Sequence, residues 1–428
     1  MPPNSRAGGR SHDGDAGEPV RRLRVLVISD VLPWPARDGY RLRLRATLDA
    51  LAPIADIDVF VGSYLEELGV APYPDSMCRH MSVTVPTTRL SVGLVLRTVS
   101  SPLPRRILWR DWDSARTLLD SFANPPYDLV WYSHAISYSA FAQPHLGPAI
   151  VDLDNLENFI GNGRRFPNLG ELGFLAWAIE TIRAGARAIL NARDKRCWER
   201  LQRLITKEAT ATVVCSALDR TRLDAANVEV IPNGYVDPGL RTYSPKMVRR
   251  LVMVGNFTYG PNLSGAEWMI KEVLPKLRQM VPGVDIRLVG LHDERLTAIS
   301  TVRGVTIVGE VDEIGPELSS ARGVVVPLQT GSGTRIKVLE ALAYGLPIVS
   351  TTLGCEGIDV SSGVHVLICD DPEGFAHALA RVLIDDKLCI ELSARGRQLY
   401  EDVYNSRSIA KQIRELVRGV SAILPKAT

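Results

Sequence analysis

Between Pro327 and Gly357 the chain reads P-L-Q-T-G-S-G-T-R-I-K-V-L-E-A-L-A-Y-G-L-P-I-V-S-T-T-L-G-C-E-G. A short apolar stretch, Gly323 to Pro327, has the character of a buried strand and runs into the turn Gly331-Ser332-Gly333-Thr334. A helical pattern follows at once, opening with Arg335 and Lys337 and carrying Glu340 about a turn further on. Exposed amides at a helix start, reached through a glycine turn, attract phosphate or diphosphate oxygens. A guanidinium there offers a fork that fits phosphate, and an ammonium offers a point charge. A carboxylate further along the helix can accept hydrogen bonds from sugar hydroxyls. The competing reading is a solvated helix face, with Lys337 paired to Glu340 three residues on.

Such a loop needs a strand behind it and a crevice in front. Strands are expected at Leu23 to Ser29, Ile57 to Val61, Met81 to Val85, Leu129 to Tyr132, Ala149 to Leu153, Ala211 to Cys215 and Val228 to Ile231. Helical patterns lie between them, among them Tyr40 to Leu51 and a long one from about Glu171 to Glu208. The turn-rich P-N-G-Y-V-D-P-G and a basic, irregular stretch to Arg250 then mark a boundary. Beyond it the pattern restarts, with strands at Leu251 to Val254, Asp285 to Val289, Val305 to Val308, Val324 to Val326, Ile348 to Ser350 and Val364 to Ile368. Alternating strands and helices imply two parallel sheets with helices on both faces. The expected division is a disordered tail over 1–20, a first domain over 21–240, a second over 241–397, and a helical tail over 398–428 that can cross back to the first.

The 428 residues exceed what one core usually holds. A net charge of +2 gives no case for nucleic acid as partner. The six cysteines are dispersed, which fits neither a disulfide framework nor a zinc site and suits a reducing cytoplasm. No apolar run approaches the ~20 residues needed to span a bilayer, so any membrane association, at its inner face, would be peripheral. Arg89 to Trp112 mixes Arg97, Arg105, Arg106 and Arg110 with Leu94, Leu96, Trp109 and Trp112. That mixture suits either a helix with a buried apolar face and solvated arginines or an anionic membrane surface.

Other candidates sit at strand ends. His134 follows Leu129 to Tyr132, where strand ends meet a crevice. Gly255 follows an apolar strand and would let a loop approach a ligand closely; Asn256 beside it either touches phosphate or caps the turn. Asp152 and Asp154 close their strand as D-x-D, a pattern that Asp56/Asp58 and Asp111/Asp113 share. The pattern is too common to mark a metal site by itself.

The Pro327–Gly357 segment resembles the C-terminal signature of family 4 glycosyltransferases, retaining enzymes of the GT-B fold, and within them the G-[GS]-G-T-R-x-K-x-L-E-A-x-A subgroup. Pro33-x-Pro35 with Gly39 and Arg43 is similar to that subgroup's first loop, and V-E-V-I-P-N-G at Val228 to Gly234 to the close of its first domain. Val252 to Asn262 resembles the opening of its second domain, and Val308-Gly309-Glu310-Val311 the turn that lies against the nucleobase.

The resemblance implies an α/β fold of two Rossmann-like, doubly wound domains facing a cleft. It implies retaining transfer of a hexose-like sugar from a nucleotide-diphosphate sugar to a sugar, lipid or small-molecule hydroxyl. The donor's own phosphate would take the acceptor proton, without metal, and Asp154 would be a polar group on the acceptor side. Arg335 and Lys337 would face the diphosphate, Glu340 the ribose, Glu310 and Val311 the base, and His134 the donor sugar. Gly39, Gly255, Asn256, Gly331, Ser332, Gly333 and Thr334 would line the donor. Two departures stand out: Ser332 occupies the position of a family Glu, and Asn256 and Pro261 stand where an Arg and a Lys are common. An NAD-dependent oxidoreductase is disfavoured, because Leu23 to Ser29 leads into S-D-V-L-P-W-P-A-R-D-G-Y rather than G-x-G-x-x-G. A nucleotide-sugar epimerase or a non-catalytic sugar-nucleotide binder is the remaining alternative.

Overall fold

The computed structural model describes residues 21–35, 38–63, 78–89, 91–159, 174–239, 243–297, 301–331, 333 and 335–423. The 1–20 tail and the candidate residues Ser332 and Thr334 lie outside them.

Seven parallel strands form the first sheet: β1 (Leu23–Ser29), β2 (Ala55–Ser63), β3 (Arg79–Thr84), β4 (Leu129–Ser133), β5 (Ala149–Asp154), β6 (Ala211–Val214) and β7 (Val228–Val230), in the order β3-β2-β1-β4-β5-β6-β7. Six form the second: β8 (Arg250–Val254), β9 (Asp285–Val289), β10 (Val305–Gly309), β11 (Gly323–Val326), β12 (Ile348–Ser350) and β13 (Leu367–Ile368), in the order β10-β9-β8-β11-β12-β13. The central strands are continuous apolar runs because helices cover both faces. Val25, Val27 and Trp131 pack on one side of the first sheet, and Leu26, Ile28 and Tyr132 on the other. Both sheets are doubly wound, so each has a switch point where strand order reverses, between β1 and β4 and between β8 and β11. Ligands bind such sheets in the crevice beyond the carboxyl ends of those strands.

Two local features have physical causes. Only Leu367–Ile368 of the expected Val364 to Ile368 strand is extended. Before it, Gly363 has φ +78 and the Val364 and His365 amides both donate to the Ser361 carbonyl, which closes a turn. The helix starting at Gly260 reaches Met280, but Met269–Val273 is π-helical. Pro275 stands two residues beyond it; it lacks an N–H and crowds the preceding turn, and the wider π-turn relieves both problems.

The sheets are joined at two crossings that lie side by side. Tyr235, in the connection after β7, bridges Asn405 in the returning tail. The Ser406–Ile423 helix then sets Ile409, Ile413 and Val417 against Leu44, Leu48 and Val25 of the first sheet's layer.

Candidate functional site

The carboxyl ends of β8 and β11 carry the cationic half of the site. The Ile336–Ala343 helix forms because Val338, Leu339, Ala341, Leu342 and Ala343 bury one side of it. It ends at Gly345 (φ +61), whose amide reaches Leu342 while the Leu346 amide reaches Ala341, a Schellman closure that Pro347 follows. At its other end Gly331 (φ +109) and Gly333 (φ +98) take backbone conformations that side-chain-bearing residues avoid. Arg335 lies beneath this loop, 5% exposed, donating from Nε to the Leu353 carbonyl (3.0 Å) and from Nη2 to the Gly331 carbonyl (3.0 Å). The guanidinium therefore braces the loop whose amides it accompanies, and burial lowers its pKa.

Lys337 projects toward the start of the Gly260–Trp268 helix beyond β8, where its Nζ donates to Asn262 Oδ1 at 2.7 Å. It does not pair with Glu340. Burial, with the Arg335 charge added, pushes its ammonium down to about 7, against partial support from Glu340. Gly255 makes the space: a Cβ there would stand 3.1 Å from both Lys337 Nζ and the Asn262 amide. The Gly255 amide is spent on the Val289 carbonyl, and Asn256 Oδ1 accepts from the Thr258 amide and hydroxyl, closing the turn. Glu340 Oε1 accepts a 2.5 Å bond from the Tyr235 hydroxyl. Burial raises the Glu340 pKa, opposed by that bond and by Lys337.

The first sheet faces these groups. Gly39 opens the Gly39–Leu51 helix, capped by Asp38, and a Cβ on it would lie 3.6 Å from Ile336. Two helix starts, one from each sheet's layer, thus oppose each other with their positive ends together. Gly333 meets Asn155, just after β5: its Cβ would stand 3.2 Å from Asn155 Nδ2. The glycine loop therefore borders the gap between the two sheets.

His134 starts the helix after β4 in a left-handed conformation (φ +73). Its Nδ1 is 2.7 Å from Asp30 Oδ1, from the end of β1, and Tyr40 packs edge-on to the ring at 4.4 Å. Burial disfavours the imidazolium, but Asp30 outweighs it and raises the His134 pKa; reciprocally, burial pushes Asp30 up while His134 holds it below the usual range. Asp154 is 2% exposed. It accepts from Asn233 Nδ2 (3.0 Å) and Asn155 Nδ2 (3.1 Å), beside an Arg43 whose Nε bonds Asp152 at 2.7 Å. This network consumes the D-x-D carboxylates and leaves Asp154 no open face. Glu310 is exposed and Val311 part-buried; both follow β10 at the same carboxyl end of the sheet, two strands away from β8.

Arg335, Lys337, Gly255, Glu340 and the glycines at 331 and 333 thus converge on one gap with Gly39, while Asn256 serves its own turn. Asn262, Tyr235, Asn155 and Asp30 were missed. Two of them had a local signal: Asn262 closes the Val252 to Asn262 segment, and Tyr235 stands directly after Ile231-Pro232-Asn233-Gly234 at the crossing between domains.

Comparisons with known proteins meet this geometry. Residues 248–385, about a third of the chain, match the family described as glycosyl transferases group 1. A relative from Klebsiella pneumoniae, an uncharacterized 44.6 kDa protein in the cps region, is 23% identical over 172 residues. That match covers 38% of this chain and 44% of the relative, so less than half of the relative's length is represented. Sucrose-phosphate synthase from Thermosynechococcus elongatus superposes with a TM-score of 0.63 at 17% identity, over 94% of this chain and 100% of that one. Anabaena HepE in complex with UDP gives 0.60 at 14%, over 93% and 100%. TarM gives 0.66 at 10%, over 94% and 99%. The fold is that of GT-B glycosyltransferases, and the match to the glycosyl transferases group 1 family falls on the second sheet and its helices.

Proposed function

We propose that this chain transfers a sugar from a nucleotide-diphosphate sugar to an acceptor hydroxyl with retention of anomeric configuration. The observation that carries the reading is the meeting of the Gly331–Gly333 loop and the Ile336 helix start with the Gly39 helix start, with Lys337 and Arg335 beside them. Leaving diphosphate gains negative charge as the glycosidic bond breaks, and fixed cations and helix ends in a confined gap stabilise that charge without reorganising. Lys337, near neutrality when the site is empty, takes up a proton as the diphosphate arrives. Glu340 turns to the ribose hydroxyls, exchanging the Tyr235 hydroxyl for them. His134, held by Asp30, stands on the donor-sugar side. HepE has been crystallised with UDP and with UDP-glucose, which supports a nucleotide sugar as donor here. We infer no metal requirement, because Arg43, Asn233 and Asn155 already occupy the Asp152 and Asp154 carboxylates.

The test is release of nucleoside diphosphate from a panel of nucleotide sugars, with and without a mixed acceptor pool, repeated in EDTA, with the product's anomeric configuration read by NMR. Acceptor-dependent release that survives EDTA and retains configuration is expected. Binding of nucleotide sugars without any turnover, or turnover only to an epimer, would overturn the reading.

A further inference from the structure

The described residues contain no helix long and apolar enough to cross a membrane, yet the first domain shows two apolar stripes to water. On the Val92–Ser100 helix, Val92, Val95, Leu96 and Val99 recur at the spacing of one helix face and are 51–77% exposed. Leu94 and Thr98 anchor the opposite face, and Thr98 accepts from the indole of Trp109, itself 37% exposed. On the neighbouring Phe174–Glu208 helix, Ile182 and Ile189, seven residues apart, are both 73% exposed. The connection that leaves the Val92–Ser100 helix is stapled to the long helix: Arg193 Nη2 donates to the Ser101 and Leu103 carbonyls, and Arg105 Nε to Asp194 at 2.6 Å.

Charge distinguishes this surface from an ordinary apolar patch. Residues 89–112 hold five arginines against Asp111, a formal +4. Residues 179–203 hold seven cations against three acids, again +4, while the whole chain is only +2. We propose that this face lies on an anionic lipid surface, with the aliphatic stripes and Trp109 entering the interface and exposed cations such as Arg89, Arg97, Arg196 and Arg200 meeting headgroup phosphates. A second copy of the chain is the poorer occupant, since it would set a like-charged face against the first. The proposal is independent of the donor site.

The test is co-sedimentation of the full chain with vesicles of phosphatidylcholine alone and with about 30 mol% phosphatidylglycerol added, at low and high salt. The expected result is pelleting with the anionic vesicles only, weakened by salt and lowered at least about tenfold in the variant Val92→Ser/Leu96→Ser/Val99→Ser. All three positions are exposed, so thermal melting of the variant should match the parent. Equal pelleting with neutral vesicles, no pelleting at all, or unchanged pelleting of the variant would overturn the proposal. So would a concentration-dependent dimer in sedimentation velocity that the same serines abolish.

Discussion

Lys337 should make nucleoside diphosphate binding titrate in a range where ordinary lysines do not. Burial, with Arg335 nearby, brings its ammonium down to about 7 from 10.5. A diphosphate beside it raises that value again, so above neutrality the empty site must recruit a proton in order to bind. Between pH 6.5 and 8.5 the charged fraction of the free protein falls from about three quarters to about 3%, and affinity should fall by about 25-fold. The assay is calorimetric titration with UDP at both pH values, in two buffers of different ionisation enthalpy. Lys337→Met run in parallel subtracts the ligand's own titration. About one proton should be taken up at pH 8.5 by the parent and none beyond the ligand's share by the variant. Parallel loss of affinity in parent and variant across the window, or no extra proton, would refute the reasoning. Folding supplies a check of opposite sign. The unfolded lysine keeps its proton to about 10.5, whereas the folded one loses it near 7. Stability therefore rises with pH between those values, the penalty is complete below 7, and Lys337→Met should gain most over the parent near pH 6.

Other consequences follow from single contacts. Glu340→Gln should weaken UDP binding at least about tenfold while leaving pyrophosphate binding unchanged, because in the proposed pose only the nucleoside part reaches that carboxylate; equal loss for both ligands would remove Glu340 from the ribose. Gly333→Val should cost at least about tenfold in UDP affinity and lower stability by about 1–2 kcal/mol, since it strains a φ of +98 and pushes a side chain at Asn155 in the gap. Arg43→Met should lower stability by about 3–5 kcal/mol in chemical denaturation, because it strands Asp152 and Asp154 in the interior. A loss below about 1 kcal/mol would show that those carboxylates find other partners or protonate at little cost.

What the chain declares locally, it declares through neighbours a few residues apart. Runs such as Leu23 to Ser29 and Gly323 to Val326 announce strands buried on both faces, and the alternation with helices announces two doubly wound sheets. Gly331 and Gly333 announce a turn only glycine tolerates, with Arg335, Lys337 and Glu340 placed after it by helical spacing. Val364 to Val366 misled because apolar content cannot reveal a turn closed by backbone bonds to Ser361. What tertiary structure decided is who partners whom. Asp30 reaches His134 across 104 residues because β1 and β4 are adjacent at the switch point. Tyr235 reaches Glu340 across 105 because the connection between sheets passes over the second domain's helix. Asn262 takes Lys337, and Arg43 with Asn233 and Asn155 encloses the aspartates that had looked available. Periodicity is set by near neighbours along the chain, whereas these pairings depend on strand order and on how the two sheets close on one another, which no local spacing encodes.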